Sequence, residues 1–224
     1  MTAPRALVSG AGIAGLSTAY WLARSGWEVD VVERFGEFRT GGQNVDIRGA
    51  AREVLTKMGL ENAVRRQTTT EEGTSVLDAR GRTVARFPVE DPDGPTAELE
   101  ISRGDLARIL LDALPDRVGV RYGEQIDAVT ETSSQVEITF GSGAVEQYDL
   151  LVVAEGVRSR TRDLVFGSAV VRRELGVEIT YGTIERTTDD EGRKALSSVF
   201  RLPSILDTSM DRYPCSGDGV SMLY

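Results

Sequence analysis

Histidine is absent from the 224 residues, and cysteine occurs once, at Cys215. The first absence excludes Ser-His-Asp hydrolysis, histidine metal sites and histidine acid–base chemistry. The second excludes an internal disulfide and cysteine-type zinc sites, and fits a reducing compartment. Positive charge is also in deficit: 26 Lys and Arg stand against 35 Asp and Glu, for a net charge of -9. Nucleic-acid binding needs clustered cations, so a nucleic-acid partner is excluded. No run approaches the roughly 20 apolar residues that span a bilayer. The most apolar early stretch, Ile13 to Ala23, is broken by Ser17, Thr18 and Tyr20. It has neither a basic leader nor a small-residue cleavage site, so it does not read as a signal peptide. A soluble cytoplasmic protein without a membrane partner is expected. Any catalysis must rest on carboxylates, Lys, Arg, Tyr or a cofactor.

What is present is a globular balance of 40% hydrophobic and 27% charged residues, with ordered periodicity. Arg5 to Ser9 is a short apolar run that reads as a buried strand. After the turn Gly10–Gly15, Ile13 to Ser25 predicts a helix, with Ile13, Leu16, Ala19, Tyr20 and Ala23 on one face. Gly26 stands where a helix C-terminal glycine belongs. Glu28 to Glu33 is a second strand, so the chain opens with a parallel, right-handed strand–helix–strand unit.

Phe35 to Gly49 reads as a glycine-bearing loop, Ala50 to Met58 and Glu61 to Arg66 as short helices. Thr74 to Ala79 and Thr83 to Phe87 predict a hairpin about Arg80–Gly81. Glu98 to Ser102 is an expected strand, and Arg103 to Leu114 a helix stopped by Pro115. Val118 to Tyr122 is a strand, and Gln125–Glu131, Val136–Phe140 and Ala144–Tyr148 form an antiparallel meander. Leu150 to Ala154 is a continuous apolar run, which predicts a strand covered on both faces, with a helix over Arg158 to Phe166 after it. Val177–Ile184 and Val199–Leu202 are candidate strands.

The chemistry starts at Gly10-x-Gly12-x-x-Gly15, which joins the first strand to the first helix with Ala11 and Ile13 inside it. Gly10 permits a tight turn, Gly12 lets a pyrophosphate approach the backbone, and Gly15 lets the helix pack close to the sheet. The helix start then offers amide donors and a positive dipole end to phosphate. Glu33 ends the second strand, where a carboxylate accepts hydrogen bonds from a ribose 2′-hydroxyl. Its charge disfavours NADP at this position. A tight turn with a solvated strand end is the bland alternative. An NAD domain continues with further strand–helix–strand units; here a meander leads to Leu150–Ala154 instead. That crossover is the organisation of FAD folds. The expected class is therefore α/β: a glutathione-reductase-like FAD-binding Rossmann fold, a parallel sheet with an antiparallel β-meander crossover, plus part of a mixed-sheet substrate domain.

Three segments give the chain a family likeness: Gly10–Gly15 with Glu33–Arg34, then Ile101–Ser102–Arg103 with Leu106, then Ala154 to Arg162. On these it resembles the class A FAD-dependent monooxygenases, the para-hydroxybenzoate-hydroxylase-like family, closest to the tetracycline-modifying and polyketide hydroxylase branch. The third segment is similar to the family's Asp-Gly motif, with Ser159 and Arg162 in register and Glu155–Gly156 where the family carries Asp-Gly. The loop Gly41 to Asp46 also resembles that branch.

The resemblance implies cofactor contacts from Gly10, Ala11, Gly12, Ile13, Gly15, Glu33, Arg34, Arg39, Asp46, Arg103, Glu155 and Gly156. It places Asp46 beside the flavin and Arg39 near the nicotinamide donor. A surface ion pair or a helix cap is the alternative for Asp46 and Arg103, and a solvated face for Arg158, Arg160 and Arg162.

The implied activity is FAD-dependent, NADPH- or NADH-consuming hydroxylation of an aromatic or polyketide-like small molecule through a flavin hydroperoxide. The cofactor carries the chemistry, so no catalytic side chain is assigned. Residues 1–70 and 101–168 are the expected FAD-binding domain, and 71–100 with 169–224 a partial substrate-binding domain. The resemblance covers about residues 5 to 185. The family's second, Gly-Asp FAD motif has no counterpart, because Gly217–Asp218–Gly219 lacks a preceding apolar strand and reads as a turn. The chain is thus expected to be C-terminally shortened. A non-catalytic FAD-binding protein and another FAD oxidoreductase of the same fold stay open as alternatives.

Overall fold

A computed structural model of the chain describes residues 2–68, 73–77, 82–88, 97, 99–173, 179–182 and 220–223. In chain order the elements are β1 (Arg5–Ser9), α1 (Ile13–Arg24), β2 (Glu28–Glu33), β3 (Asn44–Asp46), α2 (Ala50–Met58), α3 (Glu61–Arg65), β4 (Gly73–Leu77), β5 (Thr83–Pro88) and β6 (Glu100–Ser102). They continue as α4 (Arg103–Asp112), β7 (Val118–Tyr122), β8 (Ile126–Glu131), β9 (Val136–Phe140), β10 (Val145–Tyr148), β11 (Leu150–Val153), α5 (Arg160–Phe166), β12 (Ile179–Gly182) and β13 (Val220–Leu223). The chain divides into two compact units, Met1–Thr40 with Gly104–Arg172, and Gly41–Arg103 with Arg173–Tyr224.

The first unit is built on a four-stranded parallel sheet in the order β11-β1-β2-β7. β1 is flanked on both sides, and Ala6, Leu7 and Val8 are fully buried. Alternation along β1 sends its side chains to opposite faces. Leu7 joins Val32, Ile126, Ile138, Phe140 and Tyr148 in one apolar cluster, so the antiparallel sheet β10-β9-β8 covers that face. Val8 looks the other way, toward Gly15 of α1. α1 buries Leu16, Ala19, Tyr20 and Ala23, the i, i+3, i+4, i+7 stripe of an amphipathic helix. It ends where Gly26 turns left-handed, at φ 93°, with its amide on the carbonyl of Ala23.

Parallel sheet and meander are also tied by a polar knot. Tyr148 is fully buried, and its hydroxyl lies 2.9 Å from both Asp30 Oδ2 and Glu146 Oε2. Arg121 donates to Glu146 at 2.7 Å and to the Tyr148 hydroxyl at 2.9 Å. Arg5 reaches Asp30 at 3.1 Å and Glu146 at 3.2 Å, with its guanidinium over the Tyr148 ring at 4.6 Å. The single phenol proton serves one carboxylate at a time, and the two arginines balance both charges. Burial, followed by the two acceptor carboxylates, pushes the Tyr148 hydroxyl far above the ordinary tyrosine range.

The opening strand–helix–strand unit and the meander follow the sequence reading. Four differences have physical causes. Leu150–Val153 is only half-buried throughout, not covered on both faces, because β11 has β1 as its sole strand partner among the described residues. α5 starts at Arg160 rather than Arg158, because the Ser159 side chain caps it by accepting from the Arg162 amide at 3.0 Å. The segment read as the loop Phe35–Gly49 contains β3, which exists only through antiparallel pairing with β6, Asn44 opposite Ser102 and Asp46 opposite Glu100. α4 ends at Asp112 rather than Leu114, because its last turn tightens ahead of Pro115, with the Leu114 amide on the Leu111 carbonyl at 3.1 Å.

In the second unit β4 pairs antiparallel with β5 as expected, with a register shift at Val76/Leu77, and β12 pairs with β13. The Arg80–Gly81 turn, Val199–Leu202, Cys215 and Gly217–Gly219 lie outside the described residues. Among the described residues no helix is long and apolar enough to cross a membrane.

Candidate functional site

The carboxyl ends of β1, β2 and β11 meet at the turn Gly10-Ala11-Gly12. Gly10 adopts φ 108°, and its amide donates to the Val32 carbonyl at 2.8 Å. A Cβ at Gly10 would stand 2.6 Å from the Ala154 carbonyl oxygen, so β11 presses against the turn from the other side. Gly12 is the N-cap of α1 in extended conformation, with no side-chain cap, and no acidic residue occupies the first turn. The first amides of a 12-residue helix therefore keep their donors and the positive end of the dipole, which suits an anion.

Glu33 closes this crevice on the β2 side. One carboxylate oxygen accepts the Ala11 amide at 3.0 Å and the other accepts the Phe35 amide at 3.1 Å. The acid is thus aimed at the glycine turn by two backbone donors. It retains acceptor positions, since a carboxylate offers about four.

Across the sheet Glu33 is in register with Tyr122, so both side chains leave the same face. The Tyr122 hydroxyl oxygen is buried and has no hydrogen-bond partner among the described residues. Burial raises its pKa, Arg108 counters the shift and Glu33 adds to it. Sequence reasoning missed this tyrosine. The available signal was a polar aromatic at the carboxyl end of a parallel strand, the rim where α/β sheets bind ligands.

Arg34 and Arg39 stack on the Phe35 ring at 4.9 and 4.3 Å, and Arg108 on Phe38 at 3.9 Å. Two predicted cationic contacts, Arg34 and Arg39, thus sit on the segment directly after Glu33.

On the β11 side, Glu155 and Gly156 leave the strand in a tight turn with Gly156 at φ 77°. The Glu155 carboxylate accepts from the Ser9 and Thr161 hydroxyls, from the Ser159 hydroxyl at 2.8 Å and from the Thr161 amide at 3.0 Å. Burial opposes its ionisation, yet the hydrogen bonds from Ser9, Thr161 and Ser159 hold the carboxyl below its ordinary value. Arg162 donates to the Val157 carbonyl at 3.0 Å and pairs with Asp163 at 3.2 Å. Arg160 pairs with Asp127 at 3.1 Å.

The remaining two predicted residues belong to the second unit. Asp46 pairs with Arg48 at 3.0 Å. Arg103 opens α4, its amide donates to the Gln43 carbonyl at 3.0 Å, and its Cβ lies near Gly42. Gly10, Ala11, Gly12, Ile13, Gly15, Glu33, Arg34, Arg39, Glu155 and Gly156 are all in the first unit. Among the described residues no group of His, Cys, Asp and Glu is arranged to hold a metal.

These residues fit a dinucleotide. The uncapped α1 amides suit a diphosphate, Glu33 at the rim suits a ribose diol, and the orphaned Tyr122 hydroxyl lies on the same face. Residues 4–179 match the family model described as FAD binding domain. The chain belongs to that FAD-binding family.

Among its relatives the FAD-binding chain is 38% identical over 204 residues to the flavin-dependent monooxygenase eupH of Phoma sp, covering 85% of this chain and 47% of the relative. It is 36% identical over 184 residues to the FAD-dependent monooxygenase asL4 of Sarocladium schorii, covering 80% of this chain and 43% of the relative. The crystal structure of tetracycline destructase Tet(55) superposes with a TM-score of 0.72 at 33% identity, over 81% of this chain and 46% of that one. CtdE in complex with FAD, at 19% identity and a TM-score of 0.71, shares the fold. The chain spans a little under half the length of these relatives.

Proposed function

We propose that this chain supplies the FAD-binding part of a monooxygenase that consumes NADPH or NADH and hydroxylates an aromatic or polyketide-like small molecule. One observation carries the reading: the glycine turn, the uncapped start of α1 and the Glu33 carboxylate converge at the carboxyl ends of parallel strands. The names of the relatives, flavin-dependent monooxygenases and tetracycline destructases, support the reaction class.

Gly12 and Ile13, at the uncapped start of α1, would offer amides to the diphosphate, and Gly10, Ala11 and Gly15 would shape the turn that lets it approach. Glu33 would accept from the adenosine ribose, and its charge next to the amides disfavours a 2′-phosphate there. Arg34 would flank the adenosine side, Arg39 would lie near the nicotinamide donor, and Asp46 and Arg103 would contact the flavin cofactor. The domain assignment that goes with this is 1–70 with 101–168 for FAD and 71–100 with 169–224 for substrate. When bound, FAD supplies the redox chemistry: acceptance of a hydride from the nicotinamide and transfer of one oxygen atom of O2 to an electron-rich substrate. The protein contributes orientation and electrostatics.

The test is the visible absorption spectrum of the purified chain, before and after adding NADPH or NADH without oxygen. A flavin band that bleaches supports the reading. A protein that neither carries nor takes up FAD refutes it. A flavin band that no nicotinamide bleaches leaves FAD binding and refutes the oxygenase role of this chain.

A further inference from the structure

Among the described serines and threonines three are buried: Ser9, Ser159 and Thr161, at 3%, 3% and 1% exposure. All three hydroxyls donate to the same carboxylate, that of Glu155. With the Thr161 amide, each carboxylate oxygen receives two donors: Oε1 from Ser9 and Thr161, Oε2 from Ser159 and the Thr161 amide. A carboxylate offers about four acceptor positions, so that of Glu155 is filled by its own protein. Glu33, with one amide on each oxygen, is not.

The donors come from separate places. Ser9 is the last residue of β1, and the next residue begins the glycine turn. Ser159 caps α5, and Thr161 lies in its first turn. Glu155 follows β11 directly. The Ala154 amide donates to the Ser9 carbonyl at 2.8 Å, and Gly10 is packed against the Ala154 carbonyl. One carboxylate therefore joins the end of β1, the exit of β11 and the start of α5.

We infer that Glu155 is a positioning residue: with Ser9, Ser159 and Thr161 it latches the β11–α5 turn onto the glycine turn and fixes the wall of the dinucleotide crevice, without contacting the cofactor through its side chain. The inference rests on the FAD reading for the identity of the ligand. The latch itself is a property of the ligand-free chain. Members of one hydrogen-bond network are coupled, so removing a second member adds little once the first is lost.

The test uses the full chain and the substitutions Ser9→Ala, Thr161→Val and Glu155→Gln, plus the double substitution Ser9→Ala/Glu155→Gln. FAD affinity is measured by flavin fluorescence at low temperature, on samples shown to be folded by circular dichroism. Hydrogen exchange at the Ala154 and Thr161 amides is followed without FAD. Ser9→Ala and Glu155→Gln should each weaken FAD about ten- to a hundredfold, the scale of one hydrogen bond to a charged group. The double substitution should be no weaker than Glu155→Gln alone. Exchange at both amides should quicken in every variant.

If Glu155→Gln weakens FAD while the hydroxyl variants do not, Glu155 is a direct ligand and the latch is refuted. Unchanged FAD affinity in all folded variants, with only the melting temperature lowered, makes the network merely structural and refutes it too. If the unsubstituted chain binds no FAD, the cofactor reading fails separately, and unchanged exchange at Ala154 and Thr161 would then sink the latch on its own. Should Glu155→Gln not fold, Ser9→Ala reads the same link.

Discussion

The carbonyl oxygen of Gly10 stands where a side chain at Gly15 would begin: a Cβ on Gly15 would lie 1.8 Å from it. No side chain can relieve that contact, because both partners are backbone. Gly15→Ala must move α1 away from the glycine turn. Overpacking of this kind destabilises by roughly 1–3 kcal/mol. FAD uptake should fall with it, since the α1 amides would no longer meet the turn. Gly36→Ala is the control, because nothing lies within 4 Å of a Cβ there. Urea unfolding and FAD titration of both variants check the expectation.

Glu33 is held toward the turn by the Ala11 and Phe35 amides and keeps spare acceptor positions. Glu33→Gln should weaken FAD about ten- to a hundredfold, the worth of a hydrogen bond to a charged group. The folded state should survive, because Glu33 is only partly buried and Phe35 is exposed. Fluorescence titration reads the affinity and thermal melting the fold. An unchanged affinity would remove Glu33 from the site.

Glu155 gives a pH signature. Its carboxyl is held below the ordinary 4.5 in the folded chain despite burial, by hydrogen bonds from Ser9, Thr161 and Ser159. A depressed folded-state value means the carboxylate adds stability that is complete above 4.5 and disappears as the pH falls through the lower folded value. The stability difference between the unsubstituted chain and Glu155→Gln should therefore be largest near neutrality and shrink on acidification below 4.5. Urea midpoints across that range test it, and a difference independent of pH would contradict the assignment.

Tyr148→Phe removes the hydroxyl shared by Asp30, Glu146 and Arg121 without opening a cavity. It takes one hydrogen-bond partner from the half-buried Asp30, Glu146 and Arg121, which costs about 1 kcal/mol. The change should lower the urea midpoint while FAD affinity is retained, because this knot lies between the parallel sheet and the meander. A loss of affinity comparable to that of Glu33→Gln would show that the meander contact transmits to the crevice.

Much of the fold was legible because its signals are local. Arg5–Ser9, the glycine spacing and the stripe Leu16, Ala19, Tyr20, Ala23 are patterns within a few residues, and they specify strand, turn and helix without reference to the rest. The meander strands were bounded by their own turns. Asn44–Asp46 was not legible as a strand, because three residues carry no periodicity and pair only with Glu100–Ser102, far along the chain. Tyr122 was not legible for a similar reason: it comes to the face of Glu33 only through the register of β2 with β7.

By itself the sequence determined the strand–helix–strand opening, the glycine turn and the presence of acids at Glu33 and Glu155. Tertiary structure alone decided what each acid does. Both end or follow a parallel strand and both follow valine- or alanine-rich runs, yet among the described residues Glu33 accepts from two backbone amides, whereas Glu155 accepts from the hydroxyls of Ser9, Ser159 and Thr161. A carboxylate's role depends on which donors reach its lone pairs, and Ser9 reaches Glu155 only because β1 and β11 lie side by side.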